Sequence, residues 1–459
     1  MLLISAPQTG PRLRYVLEAL FSHLTKIPWC LLPEDAETAS PTTGLLISYG
    51  YEPRPEALLH IPAEGLLFET GIRKERPRPV LSNDPELPLL FPIQPQSPRS
   101  LSFDLFSAAF YMLSRYEEYL PFEGDAHGRF RLRDSIFADS KPAGIYPRKP
   151  LVDLWLEHFL ERLQQEAQKQ ASGTALPDFR QARPAFRFRP SYDLDLPWML
   201  VHKRPLQALG GALRDLLRQG PGSLLRRYRI WRKPENDPAF TFPFLEKLHE
   251  KYGLQALYFA PTGPYGRYDK APSHRHPAYR RLLRELDRQG EVGLHPSYHS
   301  SEKPELLLRE KQRLEKILNR PLTASRQHFL RFRFPQTPRA LTAAGITRDY
   351  SLGFAEAPGF RSGTCHAYPW YDLEKEEKTE LMLHPLPLMD VSLFQYLKLP
   401  PKKAASLTNS LMEETRKYGG EFVPLWHNNT LSNTGKREFY EQWVVRPARG
   451  SSCVGSPIL

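Results

Sequence analysis

Short apolar runs alternate with stretches whose apolar residues recur every three or four positions, and this alternation runs through most of the chain. Residues 2–5 read as a strand. Pro11 then opens a helix with Leu13, Val16, Leu17, Leu20, Phe21 and Leu24 on one face. Residues 45–48 and 66–68 are short apolar runs that read as strands. An amphipathic helix follows at about 103–116, with Phe106, Ala109, Phe110 and Leu113 inward. A further helix starts at about 150 and runs to about 170. These elements predict an N-terminal α/β domain over residues 1–175, with Ala171-Ser172-Gly173-Thr174 as its linker.

Beyond that linker the alternation becomes regular. Strands are predicted at 186–192, 255–259, 291–295, 323–330, 348–351 and 422–427. Helices are predicted at 242–252, 279–289 and 304–319, and from Thr337 as an N-cap to Gly345. Strands alternating with helices imply parallel βα units, enough of them for a barrel or partial barrel over residues 183–445. A basic, helix-rich insertion interrupts it at about 199–233. Residues 446–459 lose apolar periodicity and read as an atypical tail.

Composition adds limits. The chain has 459 residues, 41% of them hydrophobic, which suits ordinary packed cores. A net charge of +12 is compatible with an anionic partner, but Arg and Lys are spread along the chain with acids between them, as on a basic solvated surface. The exception is Arg226-Arg227-Tyr228-Arg229-Ile230-Trp231-Arg232-Lys233. Basic residues interleaved with aromatics suit an anionic polymer or a membrane surface, or simply the exposed face of a helical insertion. A nucleic-acid partner is the weakest of these readings. Cys30, Cys365 and Cys453 have neither metal-site spacing nor an even count, which fits a reducing compartment. No apolar stretch approaches the roughly 20 residues that span a bilayer, and the N-terminus lacks signal-peptide character. A soluble cytoplasmic protein is expected.

The chemistry-bearing residues gather at predicted strand ends. Asp193 and Asp195 stand two residues apart after the strand at 186–192, so both carboxylates can face one way; one could bind a metal and the other accept a proton. Asp after a strand is also ordinary turn chemistry. His295 and His299 form H-x-x-x-H, a spacing that on a helical turn lets two imidazoles share a cation. Arg326 and His328 lie along a predicted strand, Asp349 in the next, and Arg361 in a glycine-rich loop. The last strand ends Leu425-Trp426-His427, and His427 is a candidate general acid. Asp125 and His127 read as loop residues that hydrogen-bond locally.

Ser191-Tyr192-Asp193-Leu194-Asp195, Gly293-Leu294-His295 through His299, and Leu425-Trp426-His427 resemble motifs of the polysaccharide deacetylases, carbohydrate esterase family 4. The full length also resembles a bacterial subgroup with an N-terminal domain of unknown function. That likeness is carried by Leu113-Ser114-Arg115-Tyr116-Glu117-Glu118-Tyr119, Gly128-Arg129-Phe130, Ser325-Arg326-Gln327-His328 and Gly359-Phe360-Arg361. The resemblance implies a distorted, incomplete (β/α) barrel and a metal-dependent de-N-acetylase acting on an N-acetylated sugar or glycan. It implies Asp193 as base, and Asp195, His295 and His299 as ligands of a divalent cation, zinc being expected. It further implies His427 as general acid, Arg326 orienting Asp193, Asp349 tuning His427, and Arg361, His328 and Trp426 contacting substrate. One extra residue, Leu194, separates the two acids that are adjacent in the main family, and R-x-P survives only as Arg333-Phe334-Pro335. The alternative is a saccharide-binding relative that keeps the barrel without turnover. The expected partners are a carbohydrate and, through the basic insertion, an anionic membrane surface.

Overall fold

The computed structural model describes residues 1–33, 44–82, 87–138, 146–170, 182–203 and 205–448. The expected linker at 171–174 and tail residues 449–459 lie outside the described residues.

Two mixed α/β layers follow one another along the chain. In the first, β1 (Leu2–Ala6) pairs in parallel with β2 (Trp29–Pro33) and β3 (Leu45–Gly50), and β3 pairs with β4 (Leu59–Pro62). The helix opened by Pro11, α1 (Pro11–Glu18), continues through a π-turn to Leu24 and buries all six residues of its predicted face. Residues 66–68 form a 3₁₀ turn rather than the expected strand. Gly65, at φ +112°, bends the chain into that turn. A short antiparallel pair, β5 (Val80–Leu81) and β6 (Pro88–Leu89), precedes α2 (Leu105–Leu113) and α3 (Leu151–Gln170). Asp104 starts α2 by accepting the Ser107 backbone N–H.

The second layer holds β7 (Arg187–Phe188), β8 (Ser191–Asp193), β9 (Leu257–Ala260), β10 (Glu291–Leu294), β11 (Ala324–Ser325), β12 (Arg348–Leu352), β13 (Tyr368–Asp372), β14 (Glu377–Pro385), β15 (Glu421–Phe422) and β16 (Leu425–His427). Eight of these form one curled sheet in the order β13-β14-β12-β11-β10-β9-β8-β16, all parallel except β13. The open side nearly closes: after β14 the chain runs to Met389, which bridges to Leu425 of β16. The fold is therefore a distorted, incomplete (β/α) barrel behind an N-terminal α/β sheet. Around it lie α4 (Pro205–Gln219), α5 (Gly222–Arg232), α6 (Phe242–Tyr252), α7 (Pro277–Gln289), α8 (Pro304–Leu318), α9 (Gln336–Ala343), α10 (Pro401–Tyr418) and α11 (Thr434–Tyr440).

Alternation along each strand decides what faces the barrel axis. Leu257, Phe259, Ala324, Tyr350 and Val423 form one inner cluster, and Leu330, Ala355, Leu386, Met389 and Leu425 form another beside the near-closure. Tyr192, Tyr258 and Trp426 take the opposite face and contact Tyr440 or His249 beneath the helices. At Gly293 in β10 a Cβ would lie 2.9 Å from the Ala324 carbonyl oxygen and from the Phe259 ring, so only glycine lets these strands approach.

The expected strand at 323–330 is cut to β11. The Gln327 N–H donates to Ser351 Oγ (2.8 Å), and a 3₁₀ turn follows with Phe329 and Leu330 at positive φ. The helix expected from Thr337 begins one residue earlier, and Thr337 Oγ1 accepts the Arg333 N–H inside its first turn.

Candidate active site

Strand register sets the level of the site. In the pairing of β16 with β8, His427 stands opposite Asp193; Asp193 in turn stands opposite Phe259 of β9, and Leu294 opposite Ser325. Asp193, His295, Arg326 and His427 thus all emerge at the carboxyl ends of neighbouring strands, the end at which such barrels place their chemistry.

Asp193 is buried and fixed from behind. Arg326 Nη1 donates to its Oδ1 (3.0 Å), while Nη2 donates to Ser191 Oγ (2.8 Å) and Nε to the Tyr350 carbonyl (3.0 Å). The guanidinium lies 4.3 Å from the centre of the Phe259 ring and is wholly buried. Burial lowers the Arg326 pKa, against the pull of Asp193 and Asp349.

In front of Asp193 three side chains converge. His295 Nε2 is 3.2 Å from Asp195 Oδ1 and 3.5 Å from Asp193 Oδ2; His328 Nε2 is 3.4 Å from Asp195 Oδ2. His295 Nδ1 lies 2.6 Å from the Arg326 carbonyl, a bond in which the ring nitrogen must donate, so in the neutral ring Nε2 is the nitrogen with the lone pair. His328 Nδ1 is held at 2.9 Å by Asp269. Burial raises the Asp195 pKa, but His328 and His295 outweigh it and hold the carboxyl well below the ordinary range. His328 moves the other way. Burial lowers it, yet Asp195 and Asp269 push it up to about 10.

This set fits a divalent cation. Asp195, His295 and His328 each offer one ligand atom, all within 4.8 Å of one another. Asp195 Oδ1 and His295 Nε2 are buried without a hydrogen-bond partner, although they face each other. Buried polar atoms left in this way are costly unless something joins them. Imidazoles backed by a carbonyl and a carboxylate are the usual surroundings of metal-bound histidines.

His427 Nε2 lies 3.7 Å from Asp195 Oδ2, the oxygen that His328 also approaches. Its Nδ1 lies 2.8 Å from Asp390 Oδ1, and its backbone N–H donates to Asp390 Oδ2 (3.0 Å). Burial lowers the His427 pKa, but Asp390 outweighs it and the ring is pushed up to about 9. A cavity of ≈ 400 Å³ opens over these groups, lined by Asp193, Asp195, His328, His427, Tyr396 and, from the N-terminal layer, Arg129. Arg129 donates to Tyr396 Oη (2.8 Å) and to the Phe329 carbonyl (2.9 Å).

Five expected positions differ. His299 does not join the cluster: it sits in a surface 3₁₀ turn, with 60% of its side chain exposed, 3.8 Å from Glu302. Residues 295–297 lead away from β10 without helical turns, so His295 and His299 never share a helix face. His328, expected at the substrate, stands with Asp195 and His295 instead. Asp349 lies under the site, accepting from Ser325 Oγ (2.6 Å) and the Ser351 N–H (2.8 Å), and it makes no contact with His427. Asp390 is the partner of His427, delivered by the near-closure after β14. Its sequence signal was present, because Leu386-Pro387-Leu388-Met389-Asp390 is another apolar run ending in an acid. Arg361 and Trp426 are buried and do not line the cavity over the site. Arg361 pairs with Glu118, and Trp426 packs against Tyr440 (4.8 Å) on the helix side of β16. Asp125 accepts the His127 and Arg129 backbone N–H groups, as its loop position suggests.

A family model of unknown function, DUF7033, matches residues 2–168. No curated protein matches the chain. Among solved structures it is similar to a putative polysaccharide deacetylase from Mycobacterium smegmatis (18% identity, 61% of this chain and 87% of that one, TM-score 0.38). It is similar to a probable polysaccharide deacetylase from Pseudomonas aeruginosa PAO1 (13%, 56% and 83%, 0.35). It is also similar to a CE4 family pseudoenzyme from Bacillus anthracis (11%, 59% and 66%, 0.29). Likeness at this level carries no chemistry; the side chains do. Among the described residues no helix is long and apolar enough to cross a membrane.

Proposed function

We propose that the protein is a metal-dependent hydrolase that removes the N-acetyl group from an N-acetylated saccharide. The observation that carries this reading is the flanking of one nitrogen-rich cluster by two anchored proton carriers. Asp193 is held by Arg326 on one side and His427 by Asp390 on the other. The saccharide as substrate class comes from the deacetylase-like motifs around Asp193, His295 and His427.

Asp195, His295 and His328 would hold the cation, and two imidazoles with one carboxylate suit zinc. Bound there, such an ion lowers the pKa of water and polarises an amide carbonyl. Asp193 takes the proton of the attacking water at Oδ2, the oxygen that Arg326 leaves free. Arg326 holds that carboxylate in one orientation. His427 gives a proton from Nε2 to the departing amine, and Asp390 holds the ring in the tautomer and orientation that this transfer needs. His328 favours its charged form without a cation, so loading the site displaces a proton from it. Arg129 and Tyr396 offer donors to hydroxyl groups at the cavity wall.

The test is acetate release from N-acetylated sugar oligomers by zinc-loaded protein. Release that disappears in Asp193→Asn, with metal content intact, supports the reading. Release that persists in that variant removes Asp193 as base, and no release from wild-type protein carrying its metal favours binding without turnover.

A further inference from the structure

The insertion between β8 and α6 is a helical hairpin, α4 and α5, and its apolar side chains point the wrong way for a soluble protein. Leu206, Leu209, Leu213 and Leu217 follow one another at spacings of three, four and four residues, which puts them on one face of α4. That face is bare: Leu206 and Leu217 are 84% and 78% exposed. On α5, Leu224, Leu225, Tyr228 and Trp231 are exposed as well. Eight of the sixteen exposed large hydrophobic side chains among the described residues fall in this one hairpin. Such a concentration marks an interaction surface.

Charge identifies the occupant. Between residues 203 and 233 there are nine Lys or Arg and one acid, Asp215. Arg227 takes that acid (2.6 Å), leaving Arg214, Arg218, Arg226, Arg229 and Arg232 exposed around the leucines. A second copy seated on the same face would bring arginines against arginines. A phospholipid surface accepts both features at once, since leucines and Trp231 enter the headgroup boundary while arginine stems lie along it with their charges on phosphate. Beneath the hairpin a cavity of ≈ 1110 Å³, lined by Lys203, Arg275 and Arg313 among others, adds positive charge on the barrel side. It begins at Leu196, the residue after Asp195.

We propose that the α4–α5 hairpin docks the protein onto an anionic lipid bilayer, lying in its surface without crossing it. This stands independently of the hydrolase reading. The experiment is co-sedimentation of the full-length chain with vesicles of phosphatidylcholine alone or containing about 25 mol% phosphatidylglycerol. The protein is expected to pellet with the anionic vesicles and not the neutral ones, and to be released by raising salt. The triple variant Leu209→Ser, Leu213→Ser, Leu217→Ser should lower partition about tenfold or more with little change in melting temperature, because these side chains are mostly exposed. Arg218→Gln with Arg226→Gln and Arg229→Gln should weaken binding and flatten its salt dependence, a readout that holds even if the leucine variant misfolds. Wild-type protein that stays in the supernatant, equal partition to both vesicle types, or a folded leucine variant that pellets like wild type overturns the proposal. So does a wild-type dimer that the leucine variant converts to monomer, since the face would then belong to self-association.

Discussion

His328 and His299 differ by one measurement. If His328 Nε2 is a ligand, His328→Ala leaves Asp195 and His295 to hold the ion alone and the purified variant loses its metal. His299→Ala, on the exposed turn near Glu302, keeps it. Elemental analysis of the two proteins checks this, and metal retained in the first with loss in the second would return the ligand role to the H-x-x-x-H spacing. Asp390 gives a second contrast. Asp390→Asn preserves the shape around His427 but removes the charge that favours its protonated form. Acetate release should fall about 10²- to 10⁴-fold in kcat with little change in KM or metal content. A fall confined to KM would make Asp390 a substrate contact instead.

At the scale of elements, the strand ends were legible and the near-closure was not. Asp193, His295 and His427 sit where apolar runs stop, and parallel pairing brings such stops to one level. The Arg326–Asp193 pair came only from the resemblance, because alternation does not tell which of Arg326, Arg331 and Arg333 turns inward. What periodicity could not show is the path between elements. H-x-x-x-H presumes a helix, whereas the chain after β10 has no regular turn until Tyr298. Asp390 does end an apolar run, but that run makes only a single bridge to β16, so its place beside His427 did not follow from the pattern. Packing behind β8 makes its own prediction. The Tyr192 hydroxyl lies 2.8 Å from His249 Nε2, and burial holds that ring down to about 4. An unfolded histidine titrates near 6.5, so between about pH 6.5 and 4 the unfolded chain binds the extra proton. Stability therefore falls as pH drops through that window and is unaffected by this group above it. Its contribution is at most about 3 kcal/mol. Urea unfolding of wild type and His249→Gln should show a shallower acid decline in the variant; parallel curves would mean the ring is protonated when folded.

Across the whole molecule, the two sheets are joined by buried polar contacts as well as by one continuous apolar core that runs from Leu2 to Ala448. The β13–β14 hairpin, the far edge of the barrel sheet, meets the N-terminal helices: Tyr15 donates to the Pro369 carbonyl (2.9 Å), and Tyr371 lies 5.2 Å from Phe110. Arg12 pairs with Glu376 just beyond β13. Deeper in, Glu118 accepts from Arg115 Nε (2.8 Å) and Arg361 Nε (3.0 Å), bridging two fully buried cations from opposite sides of the junction, and Glu117 takes Arg115 Nη2 (2.9 Å). Such a network adds little over an apolar replacement of equal shape, but breaking it from one side is expensive. Glu118→Ala strands the Arg361 guanidinium, while Arg115 keeps its pair with Glu117 (2.9 Å), and should cost about 3–5 kcal/mol, read as a lower urea midpoint. Because the core is continuous, tryptophan fluorescence and far-UV signals should shift together in one transition. If the N-terminal layer instead melts first while the barrel signal holds, the junction is a contact between separately stable parts and Glu118 acts only within the first.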